Sequence, residues 1–89
     1  MKVKKRNGNI VLYDDKKMIA SILNANSRSP LDMISERIAA DIADEVIDRL
    51  AEKSSVISTK EIRECVYEVL CERGFHQTAK EYIEYVKSE

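Results

Sequence analysis

Most of the chain falls into four segments whose apolar residues recur every three or four positions, the spacing that aligns them on one face of an α-helix. These segments span 16–24, 30–53, 58–73 and 75–86, and their remaining positions are largely polar. An amphipathic helix must cover its apolar face, so the sequence predicts four helices that pack on one another. The apolar stripes are Met18, Ile19, Ile22 and Leu23; Ile34, Ile38, Ile42, Val46 and Leu50, with Ala39, Ala43 and Ile47 beside them; Ile62, Cys65, Val66, Val69 and Leu70; and Phe75, Ala79, Tyr82, Ile83 and Val86.

Capping signals predict the limits of the first two helices. Asp14 or Asp15 can serve as the N-cap of the first helix, and the polar run 24–28 is expected to end it. Ser29 as an N-cap, with Pro30 at the first helical position, predicts that the second helix starts there. That helix is expected to run to about Lys53.

The third helix has the clearest limits. Ser58 and Glu61 have the spacing of a capping box, and Arg73-Gly74 is a typical helix end. The residues just before the capping box, 54–57, are predicted to form a short third strand.

The N-terminal residues 2–13 have the pattern of a β-hairpin. Asn7-Gly8 is a strong hairpin signal and predicts a type I′ turn, in which both central residues have positive φ. The second strand is expected over 10–13. The predicted fold class is therefore α+β and mostly helical, with an N-terminal hairpin and a short third strand packed on a four-helix bundle, in one domain over residues 1–89.

Basic residues are concentrated in the hairpin. Residues 1–17 carry six Lys/Arg and two Asp, whereas the rest of the chain carries nine Lys/Arg and fourteen Asp/Glu, for a net charge of −1. Nucleic-acid binding usually requires a basic face over a whole domain, so it is not expected here. A small anion fits a small basic cluster better.

Other classes of function lack support in the sequence. No apolar stretch resembles a signal peptide or a membrane span, so the expected location is the cytoplasm and no membrane contact is expected. Cys65 lies in an apolar stripe, and Cys71 with His76 does not make a zinc site because a second pair with suitable spacing is missing. His76 has no nucleophile or orienting residue in view, so no catalytic residue is predicted.

Several short motifs, taken in order, resemble those of an ATP-cone domain. That family typically shows V-x-K-R-D-G, an aromatic-Asp pair, Lys-Ile, then I-S-x-E-E-I and an ending with G-aromatic and Y-I-x-Y. Here Asn7 replaces the Asp of the first motif and Met18 replaces the Ile. Together the matching stretches cover essentially the whole chain: Val3-Lys-Lys-Arg-Asn-Gly8, Tyr13-Asp14, Lys17-Met18, Ile57-Ser-Thr-Lys-Glu-Ile62, Glu72-Arg-Gly-Phe75 and Ala79-Lys-Glu-Tyr-Ile-Glu-Tyr85.

The resemblance implies a regulatory module that binds ATP or dATP, with Mg²⁺ accompanying the triphosphate, and that has no catalysis of its own. It also implies a protein client such as a ribonucleotide reductase subunit, and a homo-oligomer as a further assembly. Neither a catalytic domain nor a zinc ribbon accompanies the motifs within these 89 residues. A free-standing cone and a piece of a longer protein both fit the sequence.

The resemblance also implies a set of nucleotide-binding residues. Lys5 and Arg6 would hold phosphates, since lysine offers a mobile charge and arginine a planar fork of donors. Asp14 and Met18 would lie near the base. The full set is Val3, Lys5, Arg6, Asn7, Gly8, Asp14, Lys17, Met18, Thr59, Arg63 and Lys87.

Each of these residues also has an ordinary structural interpretation. Asp14 is a common N-cap, Met18 a common core residue, Gly8 a turn residue, and lysines often protect sheet edges. The competing functional interpretation is a helical protein-interaction module whose basic hairpin docks an acidic partner or nucleic acid.

Overall fold

A computed structural model describes residues 1–87, and for residues 85–87 it describes the backbone alone. The fold is α+β and mostly helical, as predicted. In chain order its elements are β1 (Lys2–Lys4), β2 (Ile10–Leu12), α1 (Asp15–Ser27), α2 (Glu36–Ala51), β3 (Val56–Ser58), α3 (Thr59–Glu72) and α4 (His76–Lys87).

The four helices form the predicted bundle. Helix α1 packs against α2 and α4, and α3 packs against the same two helices on the other side. The predicted apolar stripes supply the core between them. Its largest fully buried apolar side chains are Ile22, Ile42, Val46, Leu50, Ile57, Val66, Val69 and Leu70. No helix in the described part of the chain is both long and apolar enough to span a membrane.

A three-stranded sheet of order β2-β1-β3 lies against the bundle. Strand β1 is antiparallel to β2 and parallel to β3, so the predicted third strand is confirmed. Val3 pairs with Val11 on one side and with Ile57 on the other. Val3 and Ile57 are buried, so this face of the sheet covers the helices, while Lys2 and Lys4 are exposed on the other face.

The hairpin turn differs from the type I′ turn predicted. The Gly8 N–H donates to the Lys5 carbonyl at 2.9 Å, and Lys5 N–H donates to the Asn9 carbonyl at 2.8 Å. Among the described residues only Gly8 and Gly74 have positive φ, so Asn7 does not adopt the left-handed conformation that type I′ needs. Instead, the Asn7 side-chain oxygen accepts from Asn9 N–H at 3.0 Å, and Gly8 alone, with φ of 88°, completes a longer loop.

The first helix ends within the run 24–28, as predicted, but α1 continues through most of that run, to Ser27. Ala25 extends the apolar stripe one turn beyond Ile22 and is almost fully buried. The Ser27 hydroxyl donates to the Asn24 carbonyl at 2.6 Å, so these polar side chains bond within the last turn.

The predicted start of the second helix at Ser29-Pro30 is wrong. Helix α2 starts at Glu36, with Ser35 as its N-cap accepting from Ile38 N–H at 3.2 Å. Ser29 is buried, and its hydroxyl donates to the Ala25 carbonyl at 2.9 Å, which ties it to the end of α1. Residues 28–35 therefore form a loop.

The capping box of the third helix is confirmed. The Ser58 hydroxyl accepts from Glu61 N–H at 3.1 Å, and the Glu61 carboxylate accepts from Ser58 N–H at 3.2 Å. The helix ends before Gly74, whose φ of 87° lets the chain turn. Cys65 lies in the core as predicted, and burial raises the pKa of its thiol.

Candidate functional site

An open cleft of about 600 Å³ lies between the hairpin and the bundle. Its wall is made by the hairpin, by the first two turns of α1 and of α3, and by Tyr82 of α4. The volume is in the range of small-molecule binding sites in proteins.

The fold brings most of the sequence-predicted site residues to this cleft. Nine of the eleven line it: Val3, Lys5, Arg6, Asn7, Asp14, Lys17, Met18, Thr59 and Arg63. Gly8 does not, and its positive φ accounts for it as a turn residue. The side chain of Lys87 lies outside the described residues.

Four basic side chains converge on the cleft without an acidic partner. They are Lys5, Arg6, Lys17 and Arg63, and none of them makes an ion pair within the described residues. Among the described residues that line the cleft, Asp14 is the one carboxylate. Because like charges gathered in a concavity repel one another, the cleft favours a ligand with several negative charges.

The N-terminal ends of two helices open onto the same cleft. Lys17 and Met18 lie in the first turn of α1, and Thr59 is the first residue of α3. Helix N-termini carry partial positive charge and backbone N–H groups without intrahelical acceptors, so they attract anions. The two helix ends add to the field of the four cations.

Asp14, and not Asp15, caps helix α1. Its Oδ1 accepts from Lys16 N–H at 3.0 Å and from Lys17 N–H at 3.4 Å. Its second oxygen, Oδ2, makes no hydrogen bond within the described residues. Capping therefore uses one carboxylate oxygen and leaves the other available to a ligand.

Tyr13 is fixed beside this cap. Its hydroxyl donates to Asp15 Oδ1 at 3.0 Å. Burial raises the pKa of the Tyr13 phenol, and the hydrogen bond to Asp15 with the nearby carboxylate charges raises it further. The phenol stays protonated at neutral pH and donates to Asp15, while Asp14 caps the helix.

The cleft also has an apolar part. Met18, Ile62 and Tyr82 are buried residues that reach its surface, and Val3 and Val11 add to it from the sheet. A ligand that fits both parts has a charged group at one end and a flat or apolar group at the other.

Sequence reasoning missed six lining residues, namely Val11, Leu12, Tyr13, Ser21, Ile62 and Tyr82. Helical spacing could have found two of them: Ser21 follows Lys17 by four residues, and Ile62 follows Thr59 by three. Tyr82 reaches the cleft only because α4 packs against α1 and α3, and no local pattern indicates that.

The described residues include no cluster of three or more His, Cys, Asp or Glu side chains that could hold a metal ion. What the lining offers is binding chemistry: cations, helix ends, one free carboxylate oxygen and an apolar surface.

The family model of the ATP cone domain matches residues 1–89, which is the whole chain and includes every element around the cleft. A search of the curated proteins finds no match to the chain.

Proposed function

This chain belongs to the ATP-cone family of regulatory nucleotide-binding domains, and from that premise we propose that the cleft is its site for ATP or dATP. ATP-cone domains regulate and do not themselves catalyse. The observation that carries the proposal is the convergence on one cleft of two helix N-termini and four cations that make no ion pair within the described residues.

The triphosphate would lie at the basic end of the cleft. Lys5 and Arg6 follow β1 directly and are exposed, so both can turn toward phosphate oxygens. Thr59 would add its hydroxyl at the N-terminus of α3, and Lys17 and Arg63 would complete the cationic lining. Lys87 is a further phosphate contact by the family resemblance alone.

The adenine would lie at the apolar end. Met18 and Ile62 offer a buried surface for one face of the base. The free Oδ2 of Asp14 can accept a hydrogen bond from the adenine amino group. Guanine carries a carbonyl oxygen at the corresponding position, which would face the carboxylate oxygen, so the same contact selects adenine.

Mg²⁺ would bind as a complex with the triphosphate. Asp14 is the one carboxylate among the lining residues, and its Oδ1 already accepts two backbone hydrogen bonds. Phosphate oxygens and water would therefore supply the ligands of the ion, as is common for Mg²⁺ with nucleotides.

The regulatory output is proposed to go to a ribonucleotide reductase or to a regulator of its genes, in the cytoplasm, through a homo-oligomer or a bound client. The family resemblance supports this part. If the nucleotide changes the affinity for such a client, the client must change the affinity for the nucleotide by the same factor.

A thermal-shift series with ATP, dATP, ADP, GTP and inorganic triphosphate, with and without Mg²⁺, tests the proposal. A ligand at about 100 times its Kd adds roughly 2.7 kcal/mol, which raises the Tm of a small domain by on the order of ten degrees. We expect ATP or dATP to give such a rise and GTP and triphosphate to give much less. Equal shifts from every polyanion, or no shift, would contradict it.

A further inference from the structure

The sheet has a second face, turned away from the helices, that carries both apolar and basic side chains. Ile10 and Leu12 are 56% and 76% exposed, and strand alternation places both on this face. The register sets Lys4 beside Ile10 and Lys2 beside Leu12. We call these four residues, with the partly exposed Val56 beyond Lys2, the outer sheet face.

Strand β2 is an unusual edge strand. It pairs only with β1, and all three of its residues are apolar and exposed. Edge strands normally carry charges, proline or bulges that prevent contact with other chains, and β2 has no charge or proline. The three strands contain two lysines and no acidic residue.

We propose that the outer sheet face is a docking surface for an amphipathic helix of a partner protein whose polar side is acidic. Apolar side chains of that helix cover Ile10 and Leu12, and its carboxylates pair with Lys4 and Lys2. Neither lysine makes an ion pair within the described residues, so both charges are available.

The spacing on this face matches a helix that runs along the strands. Ile10 and Leu12 form an apolar row, and Lys4 and Lys2 form a cationic row beside it. Residues two apart in a strand are about 6.6 Å apart and neighbouring strands about 4.8 Å apart. Residues four apart on a helix rise about 6 Å, so an apolar stripe with a neighbouring acidic stripe lies over both rows.

Two other occupants fit less well. A strand added at the open edge of β2 would lie two strand spacings, roughly 10 Å, from Lys2 and Lys4 and would leave them unpaired. A nucleic-acid backbone would pair with the lysines but has no apolar groups to cover Ile10 and Leu12. The combination of both rows selects an acidic amphipathic protein segment.

The outer sheet face is distinct from the proposed nucleotide site. Lys2, Lys4 and Ile10 do not line the cleft, whereas Lys5 of the same strand end does. Leu12 belongs to both surfaces. Because only Leu12 is shared, docking on this face is first tested without nucleotide.

The first experiment measures fluorescence anisotropy with a labelled synthetic helical peptide that carries leucine on one side and glutamate on the other. The test variants are Ile10→Asp and the double change Lys2→Glu with Lys4→Glu. The matched controls are Leu31→Asp, which changes an 83% exposed leucine far along the chain, and Lys16→Glu with Lys80→Glu on exposed helix positions. Circular dichroism and Tm check that each variant folds.

We expect each test variant to weaken peptide binding about tenfold or more and the controls to leave it unchanged. The lysine pair keeps the test valid if Ile10→Asp impairs folding. No binding to the wild type, or the same loss in the controls, would overturn the proposal.

Amide NMR of the wild type distinguishes the other occupants. Peptide-induced shifts should centre on Lys2, Lys4, Ile10, Leu12 and Val56. New protection of the Ile10 and Leu12 amides against hydrogen exchange would indicate strand addition instead. Full displacement of the peptide by single-stranded DNA would indicate a general polyanion surface, and dimerisation abolished by the test variants would indicate a second copy of the chain. Each of these three results overturns the proposal.

Discussion

The two ends of helix α1 differ in how fully the polar groups around them are hydrogen-bonded within the fold. At its first turn, Lys17 and Asp14 line an open cleft, and neither the Lys17 ammonium nor the Asp14 Oδ2 has a partner among the described residues. Beyond its last turn, the polar side chains Ser29 and Asp32 of the loop 28–35 are hydrogen-bonded to the helices. Ser29 and the Thr78 side chain that meets this loop are fully buried, and each makes hydrogen bonds.

The bonded end is organised by Asp32. Its Oδ2 accepts from the Thr78 N–H at 2.7 Å and from the Thr78 hydroxyl at 2.8 Å. Helix α4 follows Phe75, which has no capping side chain, so Asp32 caps this helix from a distant loop. Asn26 completes the cluster by donating to the Asp32 carbonyl at 2.9 Å and accepting from Ile34 N–H at 3.3 Å.

We therefore expect the polar groups at one end of α1 to affect stability and those at the other end to affect ligand binding. Polar groups that are bonded to each other hold helices and loops together, and removing one leaves the other unsatisfied. Polar groups gathered in a concavity without partners contribute little to folding and are available to a ligand. The same kind of side chain should therefore give opposite phenotypes at the two ends of α1.

The largest effect is expected from Lys5→Ala with Arg6→Ala. Two charge-assisted contacts to phosphate are worth about 3 kcal/mol or more together, so the Kd for ATP should rise roughly a hundredfold or more. The Tm without nucleotide should hardly change, because neither side chain makes an ion pair with any residue that the structure describes. Calorimetric titration with ATP and a melting curve measure the two quantities.

The matched control is Lys2→Ala with Lys4→Ala, which removes the same charge from strand β1, next to Lys5 and Arg6 but outside the lining of the cleft. It should weaken ATP binding only slightly, and less at high salt. Equal losses from both double variants would mean that the hairpin acts as a general basic patch.

Asp32→Ala should give the opposite result. It removes an acceptor from the buried Thr78 and from the N-terminus of α4, and we expect the free energy of unfolding to fall by about 1–3 kcal/mol. The affinity for ATP should remain that of the wild type. Urea unfolding measures the change, and Asp41→Ala, an exposed aspartate on α2, is the control. A loss of affinity without a loss of stability would contradict this assignment.

Asp14→Asn should have a smaller and more selective effect. Asparagine is also a good N-cap, so α1 should keep its stability. If the carboxylate oxygen accepts from adenine, the preference for ATP over GTP should fall by about tenfold or less. The ratio of the two Kd values is the measurement, and an unchanged ratio would remove Asp14 from the base contact.

The smallest effect is expected at the partly exposed ion pairs between α2 and the end of α3. Arg49 bonds Glu72 and Glu45, and Arg73 bonds Glu45. The hydrogen bond from Arg49 lowers the pKa of Glu72, and the hydrogen bond from Arg73 lowers that of Glu45. Arg49→Ala should lower the Tm at pH 7 by less than Asp32→Ala does, because exposed pairs contribute little.

The pH dependence of this pair effect has a definite sign. A carboxyl with a lowered pKa in the fold stabilises it above the ordinary value of about 4.3, and that stabilisation is lost as the pH falls through the lowered value. The Tm difference between wild type and Arg49→Ala should therefore vanish in strong acid. A difference that grows on acidification would contradict the pairing.

Local patterns in the sequence predicted much of this fold. The apolar stripes, the Ser58–Glu61 capping box and the hairpin each depend on residues within a few positions, so all three could be recognised. The start of α2 could not be recognised from local patterns. The Ser29 hydroxyl donates to a carbonyl of α1, and Asp32 caps α4 by accepting from Thr78, which is 46 residues further along the chain. The short-range pattern Ser-Pro-x-Asp gives no sign of that long-range competition.

The candidate site shows the same division. The basic hairpin and the α1 cap are local and were predicted, and the start of a helix just after the Ser58 cap pointed to Thr59 and, one turn on, to Arg63. Tyr82 and Val11 were missed, because tertiary packing brings α4 and the second strand to the cleft.

An amide NMR titration of the whole chain with ATP and Mg²⁺ is the most direct test of whether the nucleotide binds in the cleft. A nucleotide site in the cleft predicts saturable shifts that centre on Lys5, Arg6, Met18 and Thr59, while the amide shift of Asp32 near the other end of α1 stays unchanged. Shifts centred on Lys2 and Lys4, or weak shifts over the whole basic surface that never saturate, would contradict a nucleotide site in the cleft.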